Sequence, residues 1–271
     1  MRKVITLITT IALFASPLSF ANNSVSVSGS TSVSNVVEVL AETYQKNTNN
    51  RVDVQGMGSS AGIIAATNGT SMLGMSSRVL RANELTPFLE QTVIAKDGIA
   101  IVINESNPVS DLTLSEVNKI YRNKITNWKQ VGGDDKKIVV VTREASSGTR
   151  EAFERIVGLK KSVNGIQVTN ISPSALVGNG NGMVKTLVSN NQNAISFISL
   201  GSVDDSTLKV LKINGVVSSD ENIVSGEYQI ARPFIFVFNK NVPKEAHDFM
   251  QYVLSDEGQQ IVEEQGYIRV K

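Results

Sequence analysis

Residues 143–150, with the sequence Arg-Glu-Ala-Ser-Ser-Gly-Thr-Arg, combine cationic, hydroxyl and glycine residues that are suited to binding an anion. Arg143 can offer a planar fork to a tetrahedral oxyanion. Ser147 and Thr149 can add hydroxyl donors, and Gly148 permits close approach of the backbone. From these residues alone, the alternative is an ordinary Ser/Gly helix cap beside two surface arginines.

The flanking sequence indicates how these groups would be positioned. Residues 138–141 are apolar and β-branched, which predicts a buried strand, and the spacing of Phe153, Ile156 and Val157 predicts a helix. A strand-to-helix turn presents unpaired N–H groups and the positive end of the helix dipole. Both attract anions.

Three more hydroxyl-rich segments follow predicted strands. They contain Ser30, Thr31, Ser32, Ser59, Ser60, Ser76 and Ser77. Strands that alternate with helices predict an α/β architecture with mainly parallel sheets, in which ligands bind beyond the carboxyl ends of the strands. If the four segments converge there, they enclose one small anion.

Patterns typical of enzymes are missing from the sequence. The only histidine, His247, lies on a polar helical stretch and is expected at the surface. No Gly-x-Ser-x-Gly motif, phosphate loop, dinucleotide fingerprint or metal-ligand spacing occurs. We therefore predict a binding protein that is not an enzyme and has no cofactor or metal.

Residues 1–21 predict a cleavable signal peptide, because a basic start precedes an apolar run that is too short to span a membrane. Cleavage would remove Arg2 and Lys3 and change the formal net charge from +1 to −1, which leaves no basic field for nucleic acid. The absence of cysteine excludes disulfides, thiolate metal sites and a lipid-modified cysteine. We expect a periplasmic protein without a lipid anchor.

Taken together, the hydroxyl-rich segments resemble the phosphate-binding proteins of bacterial ABC-type phosphate importers, the PstS family. In chain order they are Ser28-Gly-Ser-Thr-Ser-Val, Gly56-Met-Gly-Ser-Ser-Ala-Gly, Gly74-Met-Ser-Ser-Arg and Arg143-Glu-Ala-Ser-Ser-Gly-Thr-Arg. Family-like stretches at residues 124–128 and 257–268 extend the resemblance over nearly the whole mature chain.

The resemblance implies a two-lobed periplasmic-binding-protein fold with phosphate buried between the lobes. The sheets would be mixed and mainly parallel, with helices on both faces. One lobe would contain residues 22–101 and 235–271, and the other would contain residues 102–234. Strands near residues 98–103 and 232–238 would form two hinge crossings.

The resemblance also implies a set of phosphate-binding residues. The positions that match the family's donors are Thr31, Ser32, Ser59, Arg143, Ser147, Gly148 and Thr149. The rest of the predicted site comprises Ser30, Ser60, Ser76, Ser77 and Arg78. Arg78 has two equally weighted interpretations, a second anion ligand or a surface residue beside the cleft.

Two positions depart from the family pattern. The best-studied branch of the family has an aspartate at the position of Ser77, which accepts the ligand's proton and repels sulfate, so its replacement leaves phosphate-over-sulfate selectivity open. Ala145 stands where the usual acidic partner of Arg143 would be, and Glu144 is a candidate substitute. The loop at residues 178–182 either borders the cleft or, as we favour, is a flexible turn before a helix.

These observations predict high-affinity capture of inorganic phosphate in the periplasm and its delivery to ABC transporter permease subunits in the inner membrane. Helix N-terminal amides, hydroxyls and Arg143 would close around the anion. We expect a monomer that binds no nucleic acid. The alternatives are a receptor for sulfate, molybdate or tungstate, or a non-transport role as a secreted interaction or sensing protein.

Overall fold

The computed structural model describes residues 24–203 and 207–270, so the predicted signal peptide lies outside the described chain. The strands are β1 (Val25–Gly29), β2 (Val52–Gly56), β3 (Leu73–Ser76), β4 (Leu89–Asn104), β5 (Asp111–Leu112), β6 (Val139–Arg143), β7 (Lys160–Val163), β8 (Ile166–Thr169), β9 (Leu176–Gly178), β10 (Ala194–Ser199), β11 (Leu208–Val210), β12 (Lys212–Ile213) and β13 (Ala231–Asn239).

Helices follow most of these strands. They are α1 (Thr31–Thr48), α2 (Ser59–Thr67), α3 (Leu114–Tyr121), α4 (Gly148–Ile156), α5 (Gly180–Ser189), α6 (Asp220–Ser225), α7 (Lys244–Val253) and α8 (Asp256–Glu264). Short 3-10 helices span Trp128–Val131 and Leu200–Ser202. Across the described residues, no helix combines the length and apolarity needed to cross a membrane.

A nine-stranded sheet runs through the molecule in the order β2-β1-β3-β13-β4-β10-β6-β9, with β11 beside β4. At one end β1 pairs in parallel with β2 and β3, and at the other β6 pairs in parallel with β10 and β9. Between them, β4 pairs antiparallel first with β13 and then with β10. The two ends are therefore joined through β4 and β13.

Two large hydrophobic cores lie on either side of this junction. The first packs α1, α7 and α8 against β1 and β3, and the second surrounds Trp128 and Phe153. Along β4, Ala95 packs in the first core and Ile99 packs in the second. We call the half with β1, β2, β3, α1, α2, α7 and α8 the first lobe, and the half with β6, β9, β10, α3, α4 and α5 the second lobe.

Helices cover both faces of the sheet in each lobe, as the α/β prediction required. In the first lobe α2 packs Ile63 and Ala66 on the face of β13 that is opposite to the main core. In the second lobe α5 packs Val184 and Val188 in the same way against β4 and β10. The predicted two-lobed α/β architecture is confirmed.

A buried ion pair joins the two crossing strands. Arg232 on β13 lies opposite Asp97 on β4, and its guanidinium donates to the Asp97 carboxylate at 2.8 and 3.0 Å. Ser199 at the end of β10 donates to the other carboxylate oxygen at 2.9 Å. Because charges buried away from water must be paired, this contact holds the two strands together at the junction.

The structure has three local features that the sequence analysis did not predict. Trp128 lies in the connection between α3 and β6 but is only 1% exposed, and its indole N–H donates to the Asn193 carbonyl. The hairpin of β7 and β8 was not predicted, although Asn164 and Gly165 both have positive φ at its turn. β4 begins nine residues before the strand expected near residues 98–103, because its first half pairs with β13.

Gly62 sets how closely α2 can approach β1 and β3. A Cβ at this position would lie 2.5 Å from both the Gly29 Cα and the Ser28 carbonyl oxygen, which are backbone atoms that cannot turn aside. Gly182 in α5 is a matched contrast, because no atom lies within 4 Å of a Cβ built there.

We expect Gly62→Ala to lower the free energy of unfolding by about 1–3 kcal/mol through overpacking. Gly182→Ala should be neutral or raise it by up to about 1 kcal/mol, because alanine has the higher helix propensity. Urea unfolding followed by circular dichroism measures both changes. Equal effects of the two substitutions would contradict this account of α2 packing.

Candidate anion-binding site

The first lobe contributes the turn between β1 and α1. Ser30 caps α1, because its hydroxyl oxygen accepts from the backbone N–H groups of Ser32 and Val33 at 3.2 and 3.4 Å. The same hydroxyl donates to Ser77 Oγ at 2.9 Å. Ser30 therefore links the helix N-terminus to the segment that follows β3.

Ser59 and Ser77 complete a buried hydroxyl cluster at the carboxyl ends of β1 and β3. The Ser77 backbone N–H donates to Ser59 Oγ at 3.0 Å, and the two hydroxyl oxygens are 3.3 Å apart. Ser59 is the first residue of α2, so its hydroxyl lies at a second helix N-terminus. This cluster offers several donors and acceptors within a space the size of one small anion.

The second lobe faces this cluster with the turn between β6 and α4. Ser147 caps α4 by accepting from the Arg150 N–H at 3.2 Å. Gly148 follows at a point of close contact between the lobes, where an added Cβ would collide with the hydroxyls of Ser59 and Ser77. Only glycine permits the two lobes to meet at this distance.

Polar contacts join the two turns directly. Ser32 Oγ and Thr149 Oγ1 are 3.0 Å apart, and Arg143 Nη2 donates to Thr31 Oγ1 at 3.0 Å. Arg143 ends β6 and is 1% exposed, so its charge is withdrawn from solvent. A residue of the first lobe thus contacts the buried guanidinium of the second lobe, beside a second polar contact between the lobes.

Glu144 is the acidic partner of Arg143. Its carboxylate accepts from Arg143 Nε and Nη2, each at 3.0 Å, and also from the Gly180 N–H at 3.3 Å. Burial by itself raises the pKa of the Glu144 carboxyl, but the hydrogen bonds and charge of Arg143 outweigh it and lower that pKa below its usual value. Glu144 is the substitute that the sequence suggested.

Asn181 is a site residue that the sequence reasoning missed. Its Oδ1 accepts from Arg143 Nη1 at 2.8 Å, while its Nδ2 donates to Ser32 Oγ at 3.2 Å and to Ser202 Oγ at 2.9 Å. The loop at residues 178–182 therefore borders the cleft, although we favoured a flexible turn. The feature of the sequence that could have identified Asn181 is an amide side chain at the N-terminus of a further predicted helix.

Comparison with known proteins identifies the family. The PBP superfamily domain matches residues 16–257 of this chain. The phosphate-binding protein PstS of Borreliella burgdorferi is 32% identical over 252 residues, covering 91% of this chain and 90% of that protein. The chain belongs to the PstS family.

Solved structures from other bacteria agree with this PstS-family assignment. A crystal structure from Clostridium perfringens, named for a phosphate ABC transporter substrate-binding protein and containing bound phosphate, is 42% identical with a TM-score of 0.86. It covers 92% of this chain and all of that one. An ABC-type phosphate transport receptor from Vibrio cholerae is 43% identical with a TM-score of 0.76, covering 90% and 99% of the two chains.

The remaining predicted residues of this PstS-family site have other partners. Ser76 Oγ donates to the Arg78 carbonyl at 2.8 Å and so closes the turn after β3. The Arg78 guanidinium is 2% exposed and donates to both oxygens of Glu84 at 2.7 Å and to Ser60 Oγ at 3.3 Å. Arg78 is therefore neither at the surface nor directed at the hydroxyl cluster.

Two other residues named in the sequence analysis lie outside the predicted set. Arg150 pairs with the Glu154 carboxylate at 2.8 Å. His247 is exposed on α7. Within the described ranges, no group of three or more histidine, cysteine, aspartate or glutamate residues has the geometry to hold a metal.

Two grooves flank the contact between the lobes. One of about 460 Å³ and one of about 500 Å³ share Thr31 and Gly180 in their walls. Asn181 lines the first groove and Glu144 lines the second. The surroundings of Arg143 can therefore be reached from solvent if the lobes separate slightly.

We expect acid to destabilise the protein partly through Glu144. Because its pKa is lower in the folded protein than in the unfolded chain, the ionised carboxylate stabilises the fold above the ordinary glutamate pKa of about 4.3. That contribution is lost as the pH falls through the lower, folded-state pKa.

Urea unfolding at pH values between about 3 and 7 measures this dependence. The free energy of unfolding should decrease more steeply on acidification in the wild type than in Glu144→Gln. Glu38→Gln, at an exposed position on α1, serves as the control for replacing a glutamate by glutamine. Identical slopes for Glu144→Gln and the wild type would exclude this role of Glu144.

Proposed function

We propose that this protein captures inorganic phosphate in the periplasm and delivers it to the permease subunits of an ABC-type importer. The observation that carries the proposal is the buried Arg143, whose guanidinium donates to Thr31 across the cleft, close to the contact between Ser32 at the N-terminus of α1 and Thr149 at the N-terminus of α4. The names of the PstS relatives and the bound phosphate in the C. perfringens structure support the same ligand.

Capture would proceed by closure of the lobes. Ser32 and Thr149 already lie within hydrogen-bond distance of each other across the cleft, and so do Thr31 and Arg143. A small separation of the lobes would therefore admit a tetrahedral anion that residues of both lobes can contact. Helix N-termini and hydroxyls replace the water shell of the anion, and Arg143 supplies the positive charge. Selectivity then depends on fixed local dipoles, since the whole chain carries a formal net charge of only +1.

Closure requires two lobes that can move about the crossing strands. We assign residues 22–101 and 235–271 to one lobe and residues 102–234 to the other, with one hinge in each of β4 and β13. The antiparallel pairing of β4 with β13 and the change of core along β4 support a hinge in these strands, although the core changes between Ala95 and Ile99, a few residues before the assigned boundary.

The proposal describes a monomeric receptor with no catalytic activity and no lipid anchor. Its relatives are named as binding proteins and transport receptors, which supports a role without catalysis. Export to the periplasm follows from the signal peptide predicted at residues 1–21. The permease would receive phosphate when the lobes reopen.

Arg143→Ala tests the site directly. We expect the dissociation constant for phosphate to rise by about 30-fold or more, because truncating one partner of a buried charge pair costs about 2–5 kcal/mol. Arg155→Ala removes the same charge from an exposed position on α4 and should leave the affinity unchanged. If both variants bind phosphate like the wild type, the site assignment fails.

Calorimetry with several anions tests the choice of ligand. Protein that has been unfolded, freed of bound ligand and refolded should bind phosphate at about pH 6 and pH 8, on either side of an ionisation near pH 6–7. Sulfate should release little heat and displace phosphate poorly. Equal binding of sulfate would make the protein a broad oxyanion receptor, and binding of neither anion would favour a non-transport role.

A further inference from the structure

Four charged residues form a cluster beside the anion site, which we call the charged cluster: Arg78, Arg81, Glu84 and Glu151. Arg78 directly follows Ser77 of the hydroxyl cluster. Arg81 and Glu84 lie in the same loop between β3 and β4 of the first lobe, whereas Glu151 lies in the first turn of α4 in the second lobe. The charged cluster therefore spans the cleft.

Glu151 carries the contacts between the lobes. Arg81 Nε donates to Glu151 Oε1 at 2.7 Å, and Arg81 Nη2 contacts the second carboxylate oxygen. Arg78 Nε lies 3.0 Å from that second oxygen as an ion pair. One carboxylate from the second lobe thus accepts hydrogen bonds from Arg81 and forms an ion pair with Arg78, whose Nε makes no hydrogen bond to any described residue.

Glu84 holds the two arginines in place for this contact. Its carboxylate binds Arg78 through two hydrogen bonds of 2.7 Å and accepts from the Arg81 backbone N–H at 2.8 Å. Arg78 is thereby fixed within the first lobe whether or not Glu151 is near. The guanidinium groups of the first lobe are therefore preorganised to bind the Glu151 carboxylate, so little side-chain entropy is lost when the lobes close.

The charges of the cluster are consistent with this arrangement. Burial raises the pKa of the Glu151 carboxyl, but the hydrogen bond from Arg81 and the charges of Arg78 and Arg81 together lower it below its usual value. Glu151 is therefore ionised when the lobes are together. Separation of the lobes would remove both guanidinium groups from it at once.

We propose that Glu151 and the two arginines Arg78 and Arg81 form a latch between the lobes, which favours the closed form and slows the release of phosphate; this rests on the proposed function. An interaction made only in the closed form shifts the open–closed equilibrium toward closure. The latch joins the elements that hold the anion, since Arg78 adjoins Ser77 and Glu151 follows Thr149 by two residues.

The test measures the dissociation rate of radiolabelled phosphate from the full chain and three variants. Glu151→Gln keeps the size of the side chain, and we expect it to raise the dissociation rate by about tenfold or more. Arg81→Ala removes a partly exposed partner and should raise the rate about two- to fivefold. In the double variant the rate should match that of Glu151→Gln alone, because the two residues act through one contact.

Arg51→Ala is the matched control. It removes an exposed arginine that pairs with Asp53 inside the first lobe, so the phosphate dissociation rate should stay at the wild-type value. High salt should also speed release from the wild type more than from Glu151→Gln, since a partly exposed ion pair is screened. Unchanged rates in Glu151→Gln, or independent effects in the double variant, would overturn the latch.

Failure of the latch is distinguishable from failure of the proposed function. A wild type that does not bind phosphate overturns the function, whereas a wild type that binds it and releases it at the same rate in every variant overturns only the latch. If phosphate does not bind, small-angle X-ray scattering can still test the latch. The latch then predicts a larger radius of gyration for Glu151→Gln than for the wild type, and equal values contradict it.

Discussion

The structure depends on the burial of one guanidinium between the two lobes. A buried cation is tolerated only where its donors are paired, and Arg143 meets this condition through Glu144, Asn181 and Thr31. Two of these partners come from the second lobe and one from the first. The requirement to pair one charge therefore brings the N-termini of α1 and α5 to the same point.

Much of this arrangement could be predicted from the sequence, because it is local. Ser30 and Ser147 cap helices that begin immediately after strands, and apolar periodicity predicted those strands and helices directly. Asn181, Glu84 and the burial of Trp128 could not be predicted in this way. Their partners lie many residues away or depend on a side-chain direction, and neither is encoded in local spacing.

This chain has a hydroxyl group at Ser77, whereas the best-studied branch of the family has a carboxylate at that position. Ser77 accepts a hydrogen bond from the Ser30 hydroxyl and keeps its own hydroxyl proton, so it can both donate and accept, whereas an ionised carboxylate can only accept. The negative charge beside the site is instead on Glu144, which pairs with Arg143. An uncharged Ser77 offers no charge repulsion toward sulfate, so hydrogen-bond geometry is the means of discrimination left at this position.

The shared strand β4 has a consequence for the integrity of the molecule. Ala95 packs in one core and Ile99 in the other, and the Asp97–Arg232 pair lies between them. A lobe produced alone would lose part of its sheet and expose the other half of β4 to water. The shared strand therefore couples the stability of the two lobes, because neither lobe completes its sheet and its core without β4.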